Sequence, residues 1–316
     1  MAHDGRLSAK ACILALVAAL GVASAAAVAG GSAYKYRDAQ GHWVFTDQPP
    51  PQGVQGDSLQ LAAQPESRLH IAAYRYDDAE SLQIVGLNDC LCTITLEVTV
   101  LQSAVASLPA GTMLRQVLEP RTRQALIRVA PAREAALEFR WSASLGSPDA
   151  RHLPGEPYRV PYGVGSTYRI SQSFPSRLTH SSAENFYAID FALPDGTPVY
   201  AARAGLVVNA RHDSFKGAAD PLMLDQANVV QILHEDGTIA VYAHLHWDSI
   251  RVRIGDHVGR GQYIANSGST GFSSGPHLHF AVIRNTGAEQ VSMPVEFAGA
   301  GGRAVTAVDQ GMLTAY

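Results

Sequence analysis

Charge is scarce in this 316-residue chain: Asp, Glu, Lys and Arg make up 16% of it and sum to −4. That gives no electrostatic case for nucleic acid as a partner. Cysteine is scarcer still, at three residues. Cys12 lies too early, ahead of most of the apolar run, to be a lipoprotein cysteine. Cys90 and Cys92, two apart on a strand, sit near the upper limit of disulfide Cα separation and are expected to be structural. Apolar residues run long only once, from 11 to about 28, after Arg6 and Lys10 and before the small-residue sites Ala23-Ser24-Ala25 and Gly31-Ser32-Ala33. That pattern reads as a secretory signal over 1–33, a little short of the roughly 20 apolar residues that a membrane span needs. The mature protein is expected to be exported, with no stable membrane span after cleavage.

What is plentiful is turn and strand material. Glycine (28) and proline (17) punctuate short runs of Val, Ile, Thr and Tyr, a composition that favours an all-β protein. Tyr34-Lys35-Tyr36-Arg37-Asp38 and His42-Trp43-Val44-Phe45-Thr46-Asp47 flank a Gly41-containing turn, which predicts a small β-hairpin domain over 34–52. It resembles a short domain of unknown function at the N-terminus of many Gram-negative envelope proteins, which implies an envelope location and no chemistry. Residues 53–66, rich in Pro, Gln, Gly and Ser, read as a linker.

Between 67 and 160, alternation at Ile94, Leu96, Val98 and Val100, and again at Leu137, Phe139 and Trp141, predicts six or seven short strands. An immunoglobulin-like β-sandwich fits, as a spacer or docking module without catalytic residue types. Residues 161–300 then predict an antiparallel β-sheet domain with strands near 188–192, 199–202, 205–210, 229–234, 239–245, 263–266 and 277–283. The longest irregular piece is an insertion at 211–227, and 301–316 reads as a tail. No helical periodicity of useful length appears in this domain.

Chemistry concentrates in the last domain. In Gly275-Pro276-His277-Leu278-His279-Phe280 the two histidines share one strand face, their Cα atoms roughly 6.5–7 Å apart, while Leu278 and Phe280 anchor the other. Alone, such a pair is either a metal-ligand pair or two incidental polar residues. Asp190, inside the apolar run Tyr187-Ala188-Ile189-Asp190-Phe191-Ala192, is a carboxylate in need of a cation. Tyr242-Ala243-His244-Leu245-His246 offers further imidazoles, and alternation puts His244 on the side of Tyr242 and His246.

Taken in order, Asp190-Phe191-Ala192-Leu193-Pro194-x-Gly196-Thr197-Pro198, Gly205-x-Val207-Val208, Tyr242-Ala243-His244-Leu245, Gly255-Asp256-x-Val258-x-x-Gly261-Gln262 and Gly268-x-Thr270-Gly271 through His277-Leu278-His279-Phe280 resemble the LytM/lysostaphin-type zinc metalloendopeptidases. Those enzymes cut peptide cross-links in bacterial cell walls. The resemblance spans roughly 120 residues. It implies one zinc ion per chain held by a His, an Asp and the second His of His-X-His, here Asp190 and His279, with His244 and His277 as catalytic histidines. One of these would accept a proton from metal-activated water and the other would stabilise the oxyanion, in an order left open.

The sequence departs from that pattern once. The first ligand histidine is expected four residues before the Asp, and Phe186 stands there. His180 is the nearest upstream imidazole, and the polar run from Ser181 to Asn185 could fold it back. Glu184 as the ligand, or a dead site, are the alternatives. His42, His70, His152, His212, His234 and His257 read as surface residues, and His246 as a candidate for lining the groove.

The resemblance therefore implies a zinc endopeptidase acting on peptidoglycan peptides in the periplasm or outside the cell of a Gram-negative bacterium. The alternative is a catalytically inactive member that binds cell wall or a cell-wall amidase and regulates it. Every candidate donor follows residue 175, so 34–160 is expected to be dispensable for metal binding.

Overall fold

The structure, a computed structural model, describes residues 32–37, 43–46, 50–60, 70–131, 135–176 and 178–316. The signal expected over most of 1–33 and His42 lie outside them. Among the described residues no helix is long and apolar enough to cross a membrane. The chain divides into two compact units, 1–65 and 66–316.

In the first unit β1 (Ser32–Arg37) pairs antiparallel with β2 (Trp43–Thr46) and, on its other edge, with β3 (Gly56–Gln60). β3 falls inside the stretch expected to be a linker. Its backbone is used as a third strand.

The second unit begins with six strands: β4 (Ile71–Asp77), β5 (Leu82–Asn88), β6 (Ile94–Ser103), β7 (Met113–Leu118), β8 (Thr122–Val129) and β9 (Leu137–Leu145). They form two three-stranded antiparallel sheets, ordered β4-β5-β8 and β7-β6-β9. Ile94, Leu96, Val98 and Val100 are fully buried as their alternation requires, and they share one apolar cluster with Leu82 and Ile84 of the facing sheet. The two sheets meet so closely at Gly86 that a Cβ there would lie 2.7 Å from Leu96 Cδ2 and 2.9 Å from Leu118 Cδ1. Trp141, expected on the inner face, is 42% exposed. Cys90 and Cys92 are buried and form no disulfide.

The remaining strands are β10 (Thr167–Gln172), β11 (Ile189–Phe191), β12 (Pro198–Tyr200), β13 (Gly205–Arg211), β14 (Gly217–Ala218), β15 (Val229–Leu233), β16 (Ile239–Ala243), β17 (His257–Val258), β18 (Tyr263–Asn266), β19 (Gly271–Phe272), β20 (Leu278–Asn285), β21 (Gln290–Ser292), β22 (Glu296–Ala298), β23 (Ala304–Thr306) and β24 (Met312–Thr314). The main sheet runs β17-β13-β15-β16-β20-β11-β10-β24, with β21 added to β20. β24 closes its edge against β10, and Tyr162 Oη donates to Leu313 O at 2.5 Å. The segment expected to be a tail is thus part of the sheet. The only helices among the described residues are two short 3-10 pieces, Pro221–Gln226 and Ala300–Gly302.

The three central strands divide the chemistry from the core. Leu278, Phe280 and Val282 join Ala240, Tyr242, Ile189 and Phe191 in one apolar cluster. The opposite face carries Asp190 and His279 at one end. Farther along that face, Ala188, Ile239, Ala281 and Ile283 belong to the cluster filled by the six-stranded module. The module therefore covers the apolar half of the face whose other half bears the candidate donors.

Polar contacts fix that junction. Asn285 Nδ2, fully buried, donates to Thr95 Oγ1 (2.8 Å), Gly146 O (2.8 Å) and Ser144 O (3.3 Å). The loop after β9 is tied on by Arg151 N to Asp236 O (2.9 Å) and Leu153 N to Asp236 Oδ2 (3.0 Å). A 158–316 fragment would keep every candidate donor but lay an apolar face bare, so dispensability for metal ligation does not extend to folding. Asn285→Ala orphans several buried acceptors and is expected to cost about 1–3 kcal/mol, read as a lowered thermal midpoint of the whole chain with unchanged metal content.

Candidate active site

Three segments bring the histidines together, each by a different local device. On β20 the alternation that buries Leu278 and Phe280 leaves His277 and His279 on the open face, with His279 opposite both Asp190 on β11 and Ala243 on β16. His244 is reached otherwise. β16 ends at Ala243, and His244 adopts a left-handed backbone with φ 61°. Tyr242 points into the core, where its Oη accepts from Ala202 N at 2.7 Å. Alternation alone would put His244 on that side. The left-handed turn instead swings its ring to 4.5 Å from that of His277 and 5.9 Å from that of His279, centroid to centroid.

The Ser267-Gly268 backbone sets the spacing between the two segments. Leu245 bridges to Ser267 and His277 to Gly268, with His277 N donating to Gly268 O at 3.1 Å. Glycine is required at 268, because a Cβ would lie 2.6 Å from the backbone of His246.

His180 arrives on the loop between β10 and β11. Thr179 Oγ1 donates to Gln172 Oε1 at 3.2 Å, and the far side of the loop is pinned by Ser292, which donates to Ala183 O and receives Tyr187 N at 2.8 Å. His180 is 3% exposed, its ring 5.1 Å from that of His279. Glu184 is exposed and outside the donor cluster. Phe186, at the position where the resemblance expects a histidine, packs tilted against Phe174 at 5.2 Å and edge-on to Tyr187 at 4.9 Å, centroid to centroid.

One donor atom each from His180, Asp190 and His279 lies within 4.8 Å of the others, the sole such group among the described residues. His180 Nε2 stands 3.2 Å from Asp190 Oδ2, yet neither ring nitrogen of His180 makes a hydrogen bond there. Two donors placed 2.0–2.2 Å from one tetrahedral ion stand roughly 3.4 Å apart without pointing at each other. The observed contact fits that arrangement. His279 Nδ1 lies 2.9 Å from Asp190 Oδ1, and a proton shared there would have to leave before the nitrogen served a metal. Metal-bound histidines generally donate their other ring N–H to a carbonyl or carboxylate, and no such bond from His180 is present among the described residues.

The electrostatics favour a charged carboxylate at Asp190 and a neutral imidazole at His244. Burial alone would raise the Asp190 carboxyl, but the adjacent His180 and His279 imidazoles outweigh it and hold it below the usual carboxylate range. His244 is pushed down to about 3, first by burial and then by the neighbouring His277 and His279. Its Nδ1 donates to Thr270 O at 2.7 Å, and His277 Nδ1 donates to Gly275 O at 2.8 Å. In its neutral form each of these imidazoles presents Nε2 as a lone pair, and His277 Nε2 is 3.9 Å from Asp190 Oδ1.

The other histidines divide. His70, His212 and His257 are exposed. His246 leans toward Asp195, with Nε2 to Oδ2 at 3.7 Å, and donates from Nδ1 to Trp247 O. His234, expected at the surface, is 3% exposed, donates from Nδ1 to Ala204 O at 2.8 Å and meets the Tyr158 ring edge-on. The Glu235-Asp236-Gly237 turn folds over it, because Asp236 is drawn in by Arg203 (2.6 Å) and by Thr238. Polarity at a turn carried no signal of that.

Burial holds the His234 imidazole at about 4, with Arg203 lowering and Asp236 raising it in smaller measure. The unfolded chain takes up this proton below about pH 6.5, whereas the folded chain resists it until about 4. The stability at stake is therefore full above pH 6.5 and declines as pH falls toward 4, by about 3 kcal/mol for this one group. Urea midpoints at pH 7 and pH 4.5 should fall less for His234→Gln than for the parent chain, whatever the variant's starting stability.

Residues 184–292 match Peptidase family M23, and residues 20–68 match a Domain of unknown function (DUF4124). The M23 match begins four residues after His180, so the case for His180 rests on its position in the fold. Peptidoglycan DD-endopeptidase ShyA of Vibrio cholerae is 38% identical over 125 residues, which is 39% of this chain and 26% of that protein. Lysostaphin of Staphylococcus simulans is 35% identical over 100 residues, 32% of this chain and 18% of that one. The crystallised catalytic domain of lysostaphin aligns at 28% identity and a TM-score of 0.27, covering 43% of this chain and 84% of that one. The chain thus spans about a quarter or less of the length of these two curated relatives. Residues 184–292 thus form a Peptidase family M23 domain, homologous to ShyA, lysostaphin and the LytM-type peptidases.

Proposed function

We propose that the protein is an exported, zinc-dependent endopeptidase that hydrolyses peptide bonds in peptidoglycan stems or cross-links. The observation that carries this reading is the convergence of His180, Asp190 and His279, with His180 Nε2 and Asp190 Oδ2 3.2 Å apart yet not hydrogen-bonded. Three protein donors of the N and O type are what a catalytic zinc site uses. A bound zinc ion would supply Lewis acidity, easing ionisation of water and polarising the scissile carbonyl.

The chain's own contribution is to proton traffic. His244 and His277 stand ring beside ring, each with its Nδ1 proton committed to a backbone carbonyl. Their bare Nε2 atoms can take a proton from the attacking water and return it to the departing amine. Whichever imidazole carries that proton also becomes a donor toward the oxyanion on the attacked carbonyl. Asp190 supplies the negative charge among the three donors, and its Oδ1 stands 2.9 Å from His279 Nδ1. Such machinery argues for an enzyme over the non-catalytic regulator, which has no use for two imidazoles with free Nε2 atoms.

The substrate class is taken from the relatives, whose names describe peptidoglycan DD-endopeptidase and glycyl-glycine endopeptidase activity. Purified sacculi incubated with the zinc-loaded chain should release peptides separable by mass spectrometry. No stoichiometric zinc and no released peptide would leave only the regulator.

Variants separate the roles. His180→Ala, Asp190→Ala and His279→Ala are expected to lose both zinc and turnover, whereas Glu184→Ala keeps both. His244→Ala and His277→Ala are expected to keep zinc and lose on the order of 10²–10⁴ in rate. Zinc content by atomic spectroscopy beside peptide release checks each assignment. A His277→Ala chain that lost its zinc would exchange the roles of His277 and His279.

A further inference from the structure

We infer that Thr270 and Asn228 are positioning residues for His244: they fix its backbone turn and dictate which ring nitrogen carries its proton. This rests on the proposed proton-carrying role of His244. Neither side chain belongs to the donor cluster.

A left-handed conformation at a non-glycine residue persists only where its surroundings over-determine it. Here they do. Leu245, immediately after the turn, has both backbone polar groups taken: its N–H donates to Asn228 O (3.2 Å), and its carbonyl receives Thr270 Oγ1 (2.8 Å) and Asn228 Nδ2 (3.2 Å). The Thr270 hydroxyl in turn accepts from Asn228 N at 3.0 Å. Thr270 therefore sits between two chain segments, donating to one and accepting from the other, and its own carbonyl receives His244 Nδ1 at 2.7 Å.

Asn228 is fully buried, and its side chain is fully used. Nδ2 donates to Ser214 O (2.7 Å) as well as to Leu245 O, and Oδ1 accepts from Ser214 N (2.9 Å). One amide thereby ties the start of the 211–227 insertion to the end of β16. Thr270 is 5% exposed, so water does not readily replace a lost partner.

The consequence for the imidazole is categorical. A carbonyl oxygen can only accept, so the ring must carry its proton on Nδ1 and leave Nε2 bare. If the Thr270 hydroxyl is removed, Leu245 O and Asn228 N lose a buried partner, and the 270 carbonyl is no longer held under the ring. His244 could then turn over or protonate Nε2, which removes the acceptor that the reaction uses.

The test compares Thr270→Val, close in shape but without the hydroxyl, with Thr270→Ser, which retains it, both in the full zinc-loaded chain. Thr270→Val should keep one zinc per chain and a KM within about 2-fold while kcat falls about 10- to 100-fold, the scale of a small misplacement of a reacting group. Thr270→Ser should recover most of that loss. In ¹⁵N imidazole spectra, the His244 signal, assigned by its absence from His244→Gln, should show a protonated Nδ1 in the parent chain and a mixture of tautomers in Thr270→Val. Should Thr270→Val not fold, Asn228→Asp removes the amide donor to Leu245 O and is read in the same way, with the same loss expected. Parent-like kcat together with an unchanged His244 tautomer in these variants would overturn the inference. If the parent chain cleaves no wall peptide, the proposed function fails on its own, and the tautomer spectra still decide this point.

Discussion

The period-two geometry of three neighbouring strands is the constraint on which the rest depends. β11, β16 and β20 are short, in register and antiparallel, so each residue's face is fixed by its neighbour's. Burying Phe191, Tyr242 and Phe280 on one side compels Asp190 and His279 to the other. A slip of one residue would drive a carboxylate and an imidazole into an apolar core, at a cost no nearby partner could offset. The strength of the core thus enforces the placement of the polar groups. The rigidity of a sheet centre is inherited by the site built on it.

Charge imposes a second condition. Four imidazoles, those of His180, His244, His277 and His279, gather around the single carboxylate of Asp190. One negative charge cannot balance several positive ones in a buried setting, and burial holds the His244 ring neutral. Neutral rings are what metal ligation and proton acceptance both require. At His244 the protein reaches that state by burial and by the proximity of His277 and His279, and it directs the Nδ1–H groups of His244 and His277 to backbone carbonyls that cannot ionise.

Much of this could be read from the residue order. Alternation placed His277 and His279 together opposite Leu278 and Phe280, and an aspartate within an apolar strand announced a need for a cation. What escaped were the features set by contacts remote in sequence or by a single backbone angle. His244 is turned by one left-handed residue, which breaks the alternation that assigned it to Tyr242's side. His234 is buried because Arg203 and Thr238 draw Asp236 inward, a contact no local pattern encodes. β24 pairs with β10 across more than a hundred residues, so its three-residue run carried too little periodicity to be told from a tail. His180 stood out only because Phe186 occupied the expected place, and its burial beside Asp190 depends on a loop held from the far end by Ser292.

The junction between the six-stranded module and the main sheet bears on how such a chain can change over generations. Ala188, Ile239, Ala281 and Ile283 are apolar because the module sits on them, and Asn285 is buried because Thr95 and Gly146 accept its hydrogen bonds. A recombination that exchanged the M23 domain alone would bring in a foreign surface at those positions, and one that deleted the module would set four apolar side chains in water. The two halves are separable in sequence but not in heredity. Their boundary can move only together with compensating substitutions on the same sheet face that holds the site.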